Sequence, residues 1–113
     1  MKSGWLLRNG AVIAAAEIAD RTRDRGKGLL GRQSYDGAMI LPRTRSVHTF
    51  FMKFAIDVAQ LDGEMKVIGF RRLERWRVCL PIRGARAVLE AQAGSFERWN
   101  LTVGDCLEFR EGT

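Results

Sequence analysis

Two side chains stand out as possible proton carriers. His48 is the only histidine among 113 residues, and it lies in the run Val47-His48-Thr49-Phe50-Phe51-Met52. An imidazole changes charge near neutral pH and can shuttle a proton there. Asp57 interrupts a second apolar run, between Ile56 and Val58. A carboxylate in such a place needs a partner, because burying it alone is costly. His48, Lys53 or one of the arginines could supply that partner. A His48–Asp57 pair would orient the imidazole as in hydrolases and give a small acid/base enzyme, a hydrolase or a lyase. An Arg–Asp57 bridge would make the same carboxylate structural. No G-x-S-x-G nucleophile turn accompanies either residue.

A second constellation is basic and glycine-rich. Gly26-Lys27-Gly28-Leu29-Leu30-Gly31 has the letters of a dinucleotide fingerprint. That motif requires a buried strand immediately before it. The charged stretch 20–25 precedes it here, so the dinucleotide reading is set aside. What remains is a bend bracketed by Arg25, Lys27 and Arg32, whose backbone N–H groups can face an anion. A solvated helix end, with basic residues complementing its dipole, explains the same letters. In the binding reading, Arg25, Arg32 and Lys53 match negative charge, His48 and Asp57 orient the ligand, and Met39 and Met52 form an apolar wall.

The charge distribution favours anionic partners. Nineteen Lys and Arg oppose thirteen Asp and Glu, a net charge of +6, and fifteen of the nineteen are Arg. The excess is concentrated in residues 21–86, which carry fifteen basic and six acidic side chains. Arginine suits bidentate contacts with carboxylate and phosphate. A plainly solvated Arg-rich surface accounts for the same composition. Arg71, Arg72, Arg75, Trp76 and Arg77 also cluster, and a tryptophan among cations can stack on a nucleic-acid base. No recognised nucleic-acid motif supports that third reading.

Cys79 and Cys106 lie far apart and His48 stands alone, so no ligand spacing suggests a metal. Both cysteines read as small hydrophobes, and neither a disulfide nor a cofactor is expected. No apolar run of about 18 residues is present to span a membrane, and the first twenty residues lack a secretory layout. The expected location is cytoplasmic. Oligomeric state is not legible.

These side chains must be positioned by short strands. Asn9-Gly10 is a two-residue hairpin signal between Trp5-Leu6-Leu7 and Ala11-Val12-Ile13. Asp62-Gly63 gives a second, between Val58–Leu61 and Met65–Phe70. The runs 38–41, 47–52, 86–91 and 106–110 read as further strands. The run 47–52 is expected to be central and covered. Asp20 or Thr22 can cap a helix over the Arg-rich stretch, and Ser95 a second through Trp99. The pattern predicts one mainly β domain over 1–113, a compact antiparallel β-sandwich or barrel of seven to eight short strands with two short helices.

The ordered motifs resemble the DUF192 (UPF0127) family. They run from Arg25-Gly26-Lys27-Gly28-Leu29-Leu30-Gly31-Arg32 through Ala38-Met39-Ile40, Phe50-Phe51-Met52-Lys53, Ile56-Asp57-Val58 and Leu61-Asp62-Gly63 to Val88-Leu89-Glu90, Gly94 and Gly104-Asp105. The resemblance implies a small, mainly β domain with no established catalytic set. Departures occur at Leu30, Phe51, Phe54 and the Ala55-Ile56 pair, where the family more often has Met, Trp, a polar residue and Pro-Leu. Arg25, Gly28, Gly31, Arg32, Met52, Lys53 and Asp57 keep the family pattern; Arg25, Gly28, Gly31, Arg32, Met39, Met52 and Lys53 are the expected ligand-binding set, and His48 and Asp57 the catalytic candidates. A binding or interaction module for an anionic small molecule or an acidic protein segment ranks first. An enzyme using His48 and Asp57 ranks second, and nucleic-acid binding through 71–77 third.

Overall fold

The computed structural model describes residues 1–21, 28–29 and 31–112. Nine strands and one short helix are described: β1 (Lys2–Arg8), β2 (Ala11–Ile18), β3 (Ala38–Pro42), β4 (Val47–His48), β5 (Ile56–Leu61), β6 (Val67–Leu73), β7 (Val78–Cys79), β8 (Ala87–Gln92), α1 (Ser95–Arg98) and β9 (Leu107–Glu111). The chain is mainly β, as its turn signals predict. The expected helix near residues 22–27 lies outside the described residues.

Seven strands form one sheet in the order β6-β5-β8-β3-β2-β1-β9, and β4 pairs with β7 in a separate two-stranded ribbon. Of the two expected architectures, sandwich or barrel, the closed barrel is not formed by the described strands. The sheet curls until its edge strands touch at one end, where Lys66 and Cys106 form an isolated bridge. There Val67 N donates to Asp105 O at 2.9 Å and Leu107 N to Met65 O at 3.0 Å. Pairing is antiparallel except between β2 and β3, which run parallel with Glu17 opposite Met39. The connection from Ala19 to Gly37 is long enough to bring the chain back in the same direction, which a tight hairpin cannot do.

Both Gly-containing turns form, with different chemistry. Asn9 and Gly10 take positive φ (53° and 80°), the left-handed pair that a two-residue hairpin requires. The Asp62 turn is longer. Its carboxylate accepts from Glu64 N at 2.8 Å and Lys66 N at 2.9 Å, and the left-handed residue is Met65 rather than Gly63.

The two sheet faces build two apolar clusters. One contains Leu6, Ile40, Ala59, Leu61, Leu89, Phe96 and Leu107. The other contains Leu29, Tyr35, Met39, Leu41, Met52, Ile56, Val58, Leu73, Cys79 and Val88. β5 is buried along its whole length, so its alternation sorts side chains between two cores. The expected central strand over 47–52 stops at His48. Phe51 adopts a left-handed φ of 65°, which ends extended pairing and leaves Phe50 and Phe51 exposed.

Candidate functional site

Asp57 lies on the α1 side of β5. Its Oδ2 accepts from Gly94 N at 2.9 Å and Phe96 N at 3.1 Å, and its Oδ1 faces Arg72 Nε at 3.4 Å across the β5–β6 pair. The carboxylate is nearly enclosed, whereas the Arg72 side chain is half exposed. This is the structural bridge foreseen as one alternative. Asp57 fixes the turn before α1 and holds one edge of a guanidinium that otherwise faces solvent.

His48 belongs to the other side. Its Nδ1 accepts from Phe50 N at 3.2 Å, and its ring stacks on Phe50 with centroids 4.9 Å apart. The neighbouring Val47 and Met52 pack in the cluster with Ile56 and Val58, on the face opposite Asp57. The two members of the acid/base pair, the second-ranked reading of the sequence, therefore lie on different sheet faces. Alternation along β5 sends Asp57 and the His48 loop to different faces.

Of the expected ligand set, Gly28 and Met39 meet at Glu90, and Met52 joins Met39 and Leu29 in the same core cluster. Met39 and Met52 are buried and serve that core. Arg32 sits at its rim, its guanidinium 4.9 Å from the Tyr35 ring centroid and 4.0 Å from Glu17 Oε1. Gly31 takes a φ of 88°, and Lys53 is exposed. Arg25 lies outside the described residues.

Glu90 is the polar residue that the sequence reading passed over. It stands on β8 between Met39 of β3 and Val58 of β5, buried on the face of the second cluster. Its Oε1 has no hydrogen-bond partner among the described residues. Burial pushes its carboxyl up to about 7, against a smaller downward pull from the Leu29 backbone N–H. Tyr35 lies close by. Its hydroxyl donates to Glu17 Oε1 at 2.6 Å, and burial followed by that bond pushes the phenol well above its ordinary range. The signal was available: an acid inside Val88-Leu89-Glu90-Ala91 invites the argument made for Asp57.

A cleft of about 630 Å³ opens beside the Asp57 bridge. Edge strand β6 lines one side with Phe70, Arg71 and Arg72, and Phe96, Glu97 and Asn100 to Thr102 line the other. Phe70 and Phe96 meet edge to face, centroids 5.9 Å apart. The cleft thus joins an aromatic wall to the guanidinium of Arg72, while Arg71, opposite Val58, directs its side chain to the other face.

Comparison with known proteins agrees with the motif string. The model of the DUF192 family, described as "Uncharacterized ACR, COG1430", matches residues 5–109. The chain belongs to the DUF192 family. It is 38% identical over 97 residues to a UPF0127 protein of Pyrococcus furiosus, covering 81% of this chain and 84% of that one. A UPF0127 protein of Thermococcus sibiricus is 34% identical over 99 residues, covering 82% of this chain. This DUF192 chain spans 64% of that relative's length. Two solved structures share the fold. A Sinorhizobium meliloti protein described as a candidate transcription regulator superposes with a TM-score of 0.76 at 20% identity, over 96% of this chain and 92% of that one. A Novosphingobium aromaticivorans protein of unknown function gives 0.72 at 19% identity, over 83% and 74%.

Proposed function

We propose that this DUF192 chain is a binding module for a small anionic molecule, seated in the cleft between β6 and the 96–102 segment. The observation that carries the reading is Arg72, half exposed and on the same face of β6 as Phe70, beside the Phe70–Phe96 wall. Asp57 offsets part of the Arg72 charge but engages only its Nε edge. Two backbone N–H groups already satisfy one of its oxygens, and it touches Arg72 through Nε. The outer edge of the guanidinium is left for a carboxylate or phosphate, which it can hold in two parallel hydrogen bonds. The aromatic wall suits a ligand with a flat apolar part. Glu97 in the lining disfavours ligands carrying negative charge at both ends. The reading carries with it a cytoplasmic location, in keeping with two free cysteines.

A thermal-shift panel tests this, with phenyl phosphate, adenosine monophosphate, benzoate and pyrophosphate as probes at matched salt. Ligands that bind the native state raise the melting temperature by mass action. The expected result is a shift for the aromatic anions that Arg72→Ala abolishes, with pyrophosphate weaker. A shift equal in the wild type and Arg72→Ala, or none for any probe, would overturn the reading.

A further inference from the structure

On the other sheet face, two loops are stapled together by one buried threonine. Thr49 Oγ1 donates to Glu74 O at 2.6 Å and accepts from Arg77 N at 2.8 Å. The Thr49 N–H donates to Arg77 O at 2.8 Å, and Thr49 O accepts from Trp76 N at 3.1 Å. Beside this latch, Phe51 and Trp76 both take left-handed backbone conformations, with φ of 65° and 62°. Such values are uncommon for bulky residues and recur where a surface is built to hold something.

The strain presents apolar tips to solvent. Phe51 is 69% exposed, Leu80 70%, Trp76 48% and Val78 43%. Phe51, Trp76 and Val78 are linked through neighbouring rings and ribbon pairing, and Leu80 follows along the chain. Phe51 and Trp76 lie 4.7 Å apart, Phe50 links Trp76 to His48, and His48 pairs with Val78 across the ribbon, two residues before Leu80. A patch of this kind marks an interaction surface. Cations surround it: Arg45, Lys53, Arg75 and Arg77 are all exposed, and Glu74 is the single acid within 43–54 and 74–83.

We propose that the 48–53 and 74–80 loops dock on an anionic lipid bilayer, with Phe51, Trp76 and Leu80 entering the interface and the four cations meeting acidic headgroups. Charge complementarity selects an anionic partner. The apolar members select lipid over bases. Trp76 is already flanked by Phe50 and Phe51, so it is no open stacking platform. Val78 and Leu80 offer a base nothing to stack on, whereas both can bury in the acyl boundary. Tryptophan suits the interfacial depth, one end apolar and one a hydrogen-bond donor. The surface involves none of the residues that line the β6 cleft.

Co-sedimentation with phosphatidylcholine vesicles, with and without phosphatidylserine, tests the proposal on the full chain. The wild type should sediment with the phosphatidylserine vesicles and much less with phosphatidylcholine alone. Phe51→Asn suits the left-handed backbone and so keeps the fold. Combined with Leu80→Ser, it should weaken vesicle binding by about tenfold or more. Arg75→Ala and Arg77→Ala should each cost about fivefold and more at low salt. An unchanged melting temperature confirms that each variant is folded. Failure of the wild type to sediment overturns the proposal, and so do variants that bind like the wild type. Binding to oligothymidylate that needs Phe51 and Trp76, without vesicle binding, overturns it in favour of nucleic acid. Self-association lost in Phe51→Asn, again without vesicle binding, overturns it in favour of a second copy of the chain.

Discussion

A Cβ at Gly28 would lie 2.9 Å from Oε1 of Glu90, so the backbone of the bend sits directly on a buried carboxyl. Gly28 also needs its left-handed φ of 51°, which a side chain would strain. The glycine and the acid form one device, joining the segment before β3 to the middle of the sheet. An unpartnered oxygen at that junction is tolerable while the carboxyl keeps its proton, because a neutral acid is far cheaper to bury than a carboxylate.

Stability should therefore fall as Glu90 ionises. Its folded value of about 7 lies above the ordinary 4.5, so the folded chain holds the proton more tightly than the unfolded one. That contribution is fully present below pH 4.5 and is lost as the pH rises through 7. Urea melts of the wild type should lose roughly 3 kcal/mol of unfolding free energy from this group between those limits. Glu90→Gln is neutral at every pH and should flatten the decline, leaving the variant more stable than the wild type above neutrality. An identical pH profile in both proteins would mean that the carboxyl is not the titrating group.

How far the sequence could be read follows from the same local physics. Asn9-Gly10 was legible because one turn type demands those residues, and strands β5 and β8 were legible because both their faces are apolar. The parallel β2–β3 pair was not, since parallel pairing is decided by a crossover rather than by neighbouring residues. Val47 to Met52 has the content of a strand, yet the buried Thr49 latch overrides that propensity and turns the chain outward. Asp57 was correctly marked as an acid needing a partner. Its partner was decided by which face of β5 it occupies, and that depends on register with β6 and β8. Glu90 escaped notice because its surroundings come from strands distant in the sequence.

Asp57 should be the more costly acid to remove. Asp57→Ala leaves the N–H groups of Gly94 and Phe96 without their acceptor and frees Arg72. Two buried donors left unpaired should lower stability by about 2–4 kcal/mol, against about half that for Asp57→Asn, which keeps one acceptor oxygen. Chemical denaturation measures both. A loss below 0.5 kcal/mol or so in the alanine variant, the range of ordinary surface changes, would mean that the turn before α1 holds without Asp57.

The two thiols should separate cleanly by reactivity. Cys106 is exposed, whereas Cys79 is buried and burial pushes its thiol pKa up, partly opposed by Arg71. The thiolate is the reacting species, so both burial effects protect Cys79. Titration with a disulfide reagent at pH 8 should show one fast thiol in the native protein and two in denaturant. Cys106→Ser should abolish the fast phase. Two fast thiols in the native state would show that the β4–β7 ribbon opens readily.

Thr49→Val removes the latch while keeping the shape of the side chain. The hydroxyl bonds to Glu74 O and Arg77 N disappear, and both backbone groups lose a partner beside an apolar core. The cost should be about 1–3 kcal/mol, expressed locally because the main sheet does not use this threonine. Hydrogen exchange should accelerate at Trp76 and Arg77 while β5 and β8 stay protected. Freed from the latch, Trp76 and Phe51 can relax toward ordinary φ values, so the aromatic surface should lose its fixed shape before the fold loses its stability. Unchanged exchange at Trp76 and Arg77 would mean that the backbone bonds of Thr49 alone hold the two loops together.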